Sequence, residues 1–270
     1  MIRLLRLMLR WFPDRPFVFV GDSGYGTHEV ARFCRRHAPR LTLVSKLCPD
    51  ANLYEPPPPY AGRGRPRVKG RRLPKPRQAV GLFRPGSRSR LTVAWYGGGT
   101  RRVRALTGTG HWYKSGRGLA PLRWVFVEDR SGTHREEYLF STDASLTPAE
   151  VIGRYTARWN VETAFQECRS CLGLGTTRGW RRATVLRAAP CLLGLYSAVA
   201  LLYDRLPRRK RAGAVEWPGK AGVTFSDALS AVRRWLWVEA VLPHAGGDTA
   251  VDKLPKPVRE LLLSALATAA

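Results

Sequence analysis

Asp22 occupies a position at which proteins commonly place a catalytic carboxylate. It lies in the sequence GDSGYG, directly after residues 17–20 (FVFV), a short run of strand-forming residues. In α/β proteins, metal-binding and catalytic side chains are found at the C-terminal ends of buried parallel strands. The alternative is a strand-ending turn in which the side chain of Asp22 accepts hydrogen bonds from backbone amides. Asp22 is therefore a candidate metal ligand.

A second candidate acid, Glu162, belongs to a predicted helix with several polar residues on one side. The sequence TPAE at residues 147–150 supplies an N-cap, a proline and an acid for the first turn, and it predicts one helix ending near residue 172. At about 100° per residue, a narrow face of that helix carries Tyr155, Arg158, Glu162 and Arg169. The carboxylate suits a cation and the guanidinium groups suit phosphate oxygens. An ordinary ion pair between Glu162 and Arg158 explains the same spacing equally simply.

The elements that must position these residues follow from local patterns. Residues 17–20 and 41–44 read as strands, and Thr27 can cap a helix between them, which predicts a parallel strand–helix–strand unit. Residues 91–142 contain four strand-forming runs separated by turn sequences and predict antiparallel β-structure. The chain is mostly helical by pattern after residue 147. Its longest uncharged apolar run, residues 188–203, is shorter than a membrane span and predicts a buried helix.

The charge balance points to a polyanionic partner. With 46 Lys and Arg against 20 Asp and Glu, the net charge is +26. Such a chain is expected to bind nucleic acid, with an anionic membrane surface as the weaker alternative. Residues 61–90 hold eleven Lys or Arg and no acid. That stretch predicts either an exposed loop or an arm that lies on phosphates.

Three further motifs have competing interpretations. GDSG also occurs in trypsin-like serine proteases, but every histidine follows Ser23 in the chain, which excludes that catalytic order. Cys168 and Cys171 favour two small buried side chains over a zinc site, since no second pair lies nearby. The aromatic residues interleaved with basic ones suit stacking on bases or core packing equally well; they are Trp95, Tyr96, Trp112 and Tyr113.

Together these features resemble the DDE transposases of bacterial insertion sequences, and among them the group with a Tyr-Arg-Glu-Lys signature. The resemblance rests on GDSGYG after a strand and on the spacing Tyr155-x2-Arg158-x3-Glu162-x6-Arg169. The flanking sequences RWNVE at residues 158–162 and STD at residues 141–143 coincide as well. It extends over roughly residues 15–205.

The resemblance implies a mixed α/β, RNase H-like fold with a β-rich insertion and C-terminal helices. Four segments are expected. They are a partial core over residues 1–47, a basic and β-rich insertion over 48–145, the Glu162 helix and a buried helix over 146–206, and a helical extension over 207–270.

The resemblance also implies a chemistry. Asp22 would be the second and Glu162 the third acid of a triad that holds two Mg²⁺ or Mn²⁺ ions for phosphodiester cleavage and strand transfer. Phosphates at the transposon ends would be contacted by Tyr155, Arg158 and Arg169. The expected partner is DNA, bound by a homodimer in a synaptic complex in the cytoplasm, associated with the nucleoid and without a membrane.

Two positions depart from the family pattern. Arg169 stands where the signature has Lys, which keeps the charge but changes a point-like ammonium into a planar fork. The first acid of the family lies on a strand well upstream of the second, whereas only 21 residues precede Asp22, and Asp14 sits in a proline-flanked turn. We therefore expect the C-terminal part of a transposase, which binds DNA and cleaves it poorly. The alternatives are a non-catalytic DNA-binding remnant and a basic RNA-binding structural protein.

Overall fold

A computed structural model of the chain describes residues 1–60, 62, 64–176, 181–211, 220, 222–241 and 253–267. It forms two compact units, Met1–Asn160 and Val161–Ala270. The strands are β1 (Phe17–Val20), β2 (Leu41–Lys46), β3 (Leu53–Tyr54), β4 (Ser89–Ala94), β5 (Thr100–Lys114), β6 (Gly118–Asp129) and β7 (Glu137–Ser141). The helices are α1 (Ile2–Trp11), α2 (His28–Arg36), α3 (Pro76–Leu82), α4 (Pro148–Ala157), α5 (Asn160–Leu172), α6 (Arg182–Arg205), α7 (Phe225–Leu236) and α8 (Lys256–Ala267).

The first unit is built on one mixed sheet. Its strand order is β1-β2-β7-β6-β5-β3. β3 and β4 pair with the same edge of β5, β3 near its C-terminal end and β4 near its N-terminal end. β1 and β2 are parallel, with Val20 opposite Val44, and the remaining pairs are antiparallel. The predicted parallel strand–helix–strand unit, the antiparallel strands between residues 91 and 142 and the mixed α/β class are confirmed. Strands of the predicted core and of the predicted insertion therefore share a single sheet, and the four-segment division stays a prediction.

Helices cover both faces of this sheet because its side chains alternate along each strand. On one face, α1 and α2 pack with Leu122, Trp124 and Phe126 of β6. On the other, α4 packs with Val125 and Val127 of the same strand. Thr27 caps α2 as predicted, since its hydroxyl accepts a hydrogen bond from the amide of Val30 at 3.3 Å. The unit is thus a three-layer arrangement with a continuous core on each side of the sheet.

The basic stretch over residues 61–90 is more ordered than a loop. It contains α3, which buries Pro76 and Val80 against the core. Immediately before that helix, the backbone is tied to the sheet: the amide of Leu73 donates to the carbonyl of Leu53 at 2.9 Å. Among the described residues before these contacts, 62 and 64–68 are exposed.

The helix predicted over residues 147–172 is interrupted, so that expectation is wrong. α4 ends at Ala157, residues 158–159 form a turn, and α5 begins at Asn160. The amides of Arg158 and Trp159 bond three residues back, to Tyr155 and Thr156, which tightens the turn. The hydroxyl of Thr156 bonds to the carbonyl of Gly153 at 3.1 Å and to that of Ala94 at 3.0 Å, and such back-bonding bends helices. A single helical wheel therefore does not apply across residues 155–169.

The predicted buried helix over residues 188–203 is also wrong about burial. These residues lie in α6, in which only Val199 is buried among the described residues, and Leu201 is 61% exposed. α6 is apolar around much of its circumference, whereas its cluster with α7, centred on Leu229 and Val232, covers one side. By length and composition alone α6 is the one helix in the described ranges that could cross a membrane.

Asp129, at the end of β6, organises the turn into β7. Its side chain is 1% exposed and lies 3.2 Å from the guanidinium of Arg101 on β5. Its carboxylate accepts hydrogen bonds from the hydroxyls of Ser131 at 2.7 Å and Thr133 at 3.0 Å. Burial alone would raise the pKa of Asp129, but the bonds from Ser131 and Thr133 and the charge of Arg101 lower this pKa to about 2. The turn is therefore stabilised by an ionised, buried carboxylate.

We expect Asp129→Ala to lower the free energy of unfolding by about 2 kcal/mol, because it removes a buried, charged acceptor of hydrogen bonds from Arg101, Ser131 and Thr133. Asp50→Ala removes a carboxylate that is 47% exposed and should change stability by less than about 0.5 kcal/mol. Urea denaturation measures both. Since the folded pKa lies below the ordinary value of 3.8, the contribution of Asp129 is complete above about pH 4 and is lost as the pH falls towards 2. Equal effects of the two substitutions at pH 7 would contradict this role.

Candidate active site

Asp22 lies where the sequence predicted it, directly after β1 and in an exposed turn. Its Oδ1 accepts a hydrogen bond from the amide of Gly24 at 3.0 Å. Its main-chain carbonyl accepts from the amides of Tyr25 and Gly26, both at 3.1 Å. The turn-capping role and the accessible position at the strand end therefore coexist in one residue.

Ser45 of β2 holds the backbone of this turn in place. Its side chain is fully buried, and its hydroxyl lies 2.9 Å from the carbonyl oxygen of Gly21 and 2.8 Å from that of Asp22. The amide of Gly21 also donates to the carbonyl of Val44 at 3.1 Å. Because both partners of Ser45 are main-chain atoms, the position of the Asp22 backbone is set by β2.

A cleft of about 680 Å³ opens beside the Asp22 turn. Its basic lining residues are Lys46, Lys114 and Arg135, and its acidic ones are Glu136 and Glu137. Aromatic side chains of Trp112 and Tyr138 complete part of the wall. Cations and aromatic rings together can accommodate an anionic, planar group, so the cleft is chemically suited to part of a nucleic acid.

The wall of this cleft includes His28, the first residue of α2. His28 is 3% exposed, and its Nε2 donates to the carbonyl of Trp112 at 3.0 Å. Burial lowers the pKa of His28. The imidazole is therefore held neutral near pH 7 and joins α2 to β5.

Lys46, another residue of the cleft wall, forms an ion pair with Glu137 and contacts the buried ring of Tyr155. The Nζ of Lys46 lies 2.7 Å from Glu137 and 5.8 Å from the centre of the Tyr155 ring. Burial alone would lower the pKa of Lys46, but the hydrogen bond and charge of Glu137 raise it. Burial raises the pKa of Tyr155, which is 2% exposed. Lys46 is thus held in its charged form between an acid and a phenol.

The remaining predicted residues fall on both sides of the break between α4 and α5. Arg158 follows α4, with its guanidinium 5.8 Å from the centre of the Tyr155 ring. Glu162 is half-buried in the first turn of α5, and Arg169 is exposed in its last turn. Both charges complement the dipole of α5. At seven residues apart, Glu162 and Arg169 share one side of that helix, as predicted.

The carboxylates fit the ligand chemistry of a divalent cation. In the ranges that the structure describes, no group of three or more His, Cys, Asp and Glu residues is arranged to hold a metal ion. Mg²⁺ is commonly bound by one or two protein carboxylates together with substrate phosphates. Asp22 is exposed and Glu162 half-buried, so each can offer an oxygen to such an ion.

The structure decides between some of the competing interpretations of the cysteines and the aromatic residues. Cys168 is fully buried and Cys171 half-buried, and both are free thiols, which favours small buried side chains. Trp112 packs against the core, whereas Tyr96 stacks on His134 with 5.3 Å between ring centres. Ser45 and the pair of Lys46 with Glu137 were not predicted. The one available signal was a serine that directly follows the strand-forming run LTLV at residues 41–44.

Comparison with known proteins identifies one similarity. A family model described as the transposase DDE domain matches residues 1–189, which is most of the chain. No curated protein matches the sequence.

We expect Gly26→Ala to destabilise the Asp22 turn. A Cβ at Gly26 would lie 2.5 Å from the carbonyl oxygen of Lys46 and 2.6 Å from the hydroxyl of Ser45, so β2 would have to move. At Gly24 the nearest atom is 3.3 Å away, on the side chain of Asp22. Thermal or urea unfolding should show a loss of about 1–3 kcal/mol for Gly26→Ala and a smaller loss for Gly24→Ala. Equal losses would mean that β2 does not constrain the turn.

Proposed function

The chain belongs to the transposase DDE domain family, and we propose that its Asp22 and Glu162 supply carboxylates for metal-dependent cleavage and transfer of DNA strands. Membership of this family makes it a transposase polypeptide of RNase H-like fold that takes part in DNA transposition and recombination. The same membership implies DNA as partner, which sets aside the RNA-binding structural alternative.

The observation that carries the proposal is the position of Asp22. It is exposed at the C-terminal end of β1, which pairs in parallel with β2, and its backbone is anchored by buried Ser45. An anchored backbone beneath an accessible carboxylate restricts where the carboxylate can reach, which catalysis requires of a metal ligand. The basic cleft beside the turn would hold the DNA strand.

Asp22 and Glu162 are the residues that would hold Mg²⁺ or Mn²⁺. Bound there, divalent cations would polarise the phosphodiester and generate the hydroxide nucleophile. Arg158 and Arg169 would bind phosphates of the transposon ends. Tyr155 is buried beneath Lys46 and beside Arg158. We therefore propose that it does not contact DNA directly but orients these two cations, which do.

The proposed level of activity is low for this chain by itself. The family pattern uses three acids, and two of them are assigned here, so both metal affinity and cleavage rate should be reduced. The proposed assembly is a homodimer that holds paired transposon ends in the cytoplasm. The second candidate function is DNA binding without cleavage, which the same basic surface supports.

Mn²⁺ binding in the presence of duplex DNA tests the assignment without requiring turnover. We expect Asp22→Asn and Glu162→Gln each to weaken Mn²⁺ binding about tenfold or more, as measured by electron paramagnetic resonance. Glu29→Gln is the matched control, since Glu29 is an exposed acid on α2 whose nearest ion-pair partner is Arg117 at 3.8 Å. Unchanged Mn²⁺ affinity in both site variants would remove the basis of the proposal.

A nicking assay with supercoiled DNA and Mg²⁺ or Mn²⁺ measures the activity directly. We expect binding with little cleavage, and we expect residual cleavage to disappear in Asp22→Asn. Robust cleavage that is lost in this variant would support the site and contradict the low activity. Cleavage that survives the substitution would contradict the site itself.

A further inference from the structure

The described residues between 56 and 69 form an exposed arm outside the sheet of the first unit. On either side of it, Glu55 and residues 70–73 are held together by backbone hydrogen bonds. The amide of Glu55 donates to the carbonyl of Arg71 at 2.9 Å, and the amide of Gly70 donates to the carbonyl of Glu55 at 3.1 Å. The two limbs therefore leave and re-enter the sheet at one place, which we call the root of the arm.

The root is packed tightly enough to fix where the arm begins. A Cβ at Gly70 would collide with the carbonyl oxygen of Pro56, so glycine permits the close approach of the limbs. The ammonium of Lys69 lies 4.4 Å from the centre of the Tyr54 ring and 4.2 Å from that of Tyr113. These cation–π contacts attach the returning limb to β3 and β5.

Beyond the root, the arm is exposed and positively charged. Every described residue in 56–60, 62 and 64–68 is exposed. The sequence has no Asp or Glu from residue 56 to residue 127 and has seventeen Lys or Arg over that span. The arm therefore presents cations with no acid of its own to neutralise them.

Two glycines near the tip of the arm have positive φ. Gly62 and Gly64 have φ of +80° and +73°, and a Cβ at either would meet nothing within 4 Å, so the backbone there is open to a partner. The hydroxyl of Tyr60 donates to the carbonyl of Gly64 at 2.9 Å and links the two limbs. Pro66 has a fixed φ and disfavours helical backbone at Arg65, so Arg65 and Arg67 lie on an exposed, non-helical segment.

The structure of the arm determines which groove of DNA it can enter. A helix or a two-stranded ribbon needs the major groove, which is about 12 Å wide, whereas the minor groove is about 6 Å wide. Neither a helix nor a pair of strands is present in the described residues of the arm, and arginine side chains by themselves can enter the narrower groove. Arginine is favoured there where A·T pairs narrow the groove further and strengthen its negative potential.

We propose that the arm inserts Arg65 and Arg67 into the minor groove of A·T-rich duplex DNA. This inference rests on the proposed function for its partner, DNA, and adds to it a binding segment and a sequence preference. The metal-binding carboxylates play no part in it, so the two can be tested separately.

The test is duplex binding by the full chain in EDTA, measured by fluorescence anisotropy with three duplexes of equal length. One is A·T-rich and one is G·C-rich. The third has the G·C sequence with inosine in place of guanine, which removes the amino group from the minor groove and keeps the hydrogen-bonding pattern of the major groove. We expect the A·T and inosine duplexes to bind about tenfold more tightly than the G·C duplex.

Arg65→Ala combined with Arg67→Ala should abolish this preference. Arg35→Ala combined with Arg36→Ala removes the same charge from exposed positions on α2 and should weaken binding to all three duplexes while keeping the preference. Arg65→Lys with Arg67→Lys keeps the charge and should still reduce the preference, because the ammonium is more strongly hydrated than the guanidinium. Circular dichroism verifies that each variant is folded.

Four outcomes would overturn the inference. Equal binding to the three duplexes, or inosine binding that matches G·C binding, would exclude minor-groove recognition while leaving DNA binding intact. Loss of the preference in the α2 variant as well would assign it to charge in general. Absence of binding to any duplex would overturn the proposed function along with this inference.

Discussion

The first unit depends on the hydrogen bonding of β2 along both of its edges. Val44 faces Val20 of β1 in a parallel pair and Ser141 of β7 in an antiparallel pair. A strand bonded on both sides cannot shift its register without breaking two ladders and turning every side chain to the wrong face. Buried Ser45 belongs to this strand and donates a hydrogen bond to the carbonyl of Asp22, so the fixed register of β2 also fixes the backbone of the Asp22 turn. The backbone of the Asp22 turn is therefore anchored to a strand in the interior of the sheet.

Features that depend on neighbouring residues were predictable from the sequence, and features that depend on distant ones were not. The strand before Asp22 and the Thr27 cap are set within a few residues, and both were found as expected. The break after α4 was missed because Thr156 bonds to Ala94, 62 residues away in sequence. The exposure of α6 was missed for a related reason, since an apolar sequence specifies a tendency to be buried and not the partner that covers it.

Positive charge is used in two different ways in the first unit. Lys46 and Arg101 are paired with Glu137 and Asp129, and they stabilise the sheet and its turns. The arm, by contrast, carries cations on an exposed segment outside the core. A net charge of +26 therefore does not describe one uniform surface, because part of it is already neutralised within the fold.

Because the root of the arm is closed by hydrogen bonds, the segment beyond it can be replaced by another sequence without altering the sheet. The arm, residues 56–69, begins and ends beside Glu55 and Gly70, which are already hydrogen-bonded to each other, so its length does not set the geometry of the sheet. The entropy of loop closure changes slowly with length, by about 0.6 kcal/mol for each doubling. Segments of other lengths and compositions can be grafted at this place at little cost to folding. The proposed DNA preference can thus diverge among related chains while the sheet that positions Asp22 is preserved.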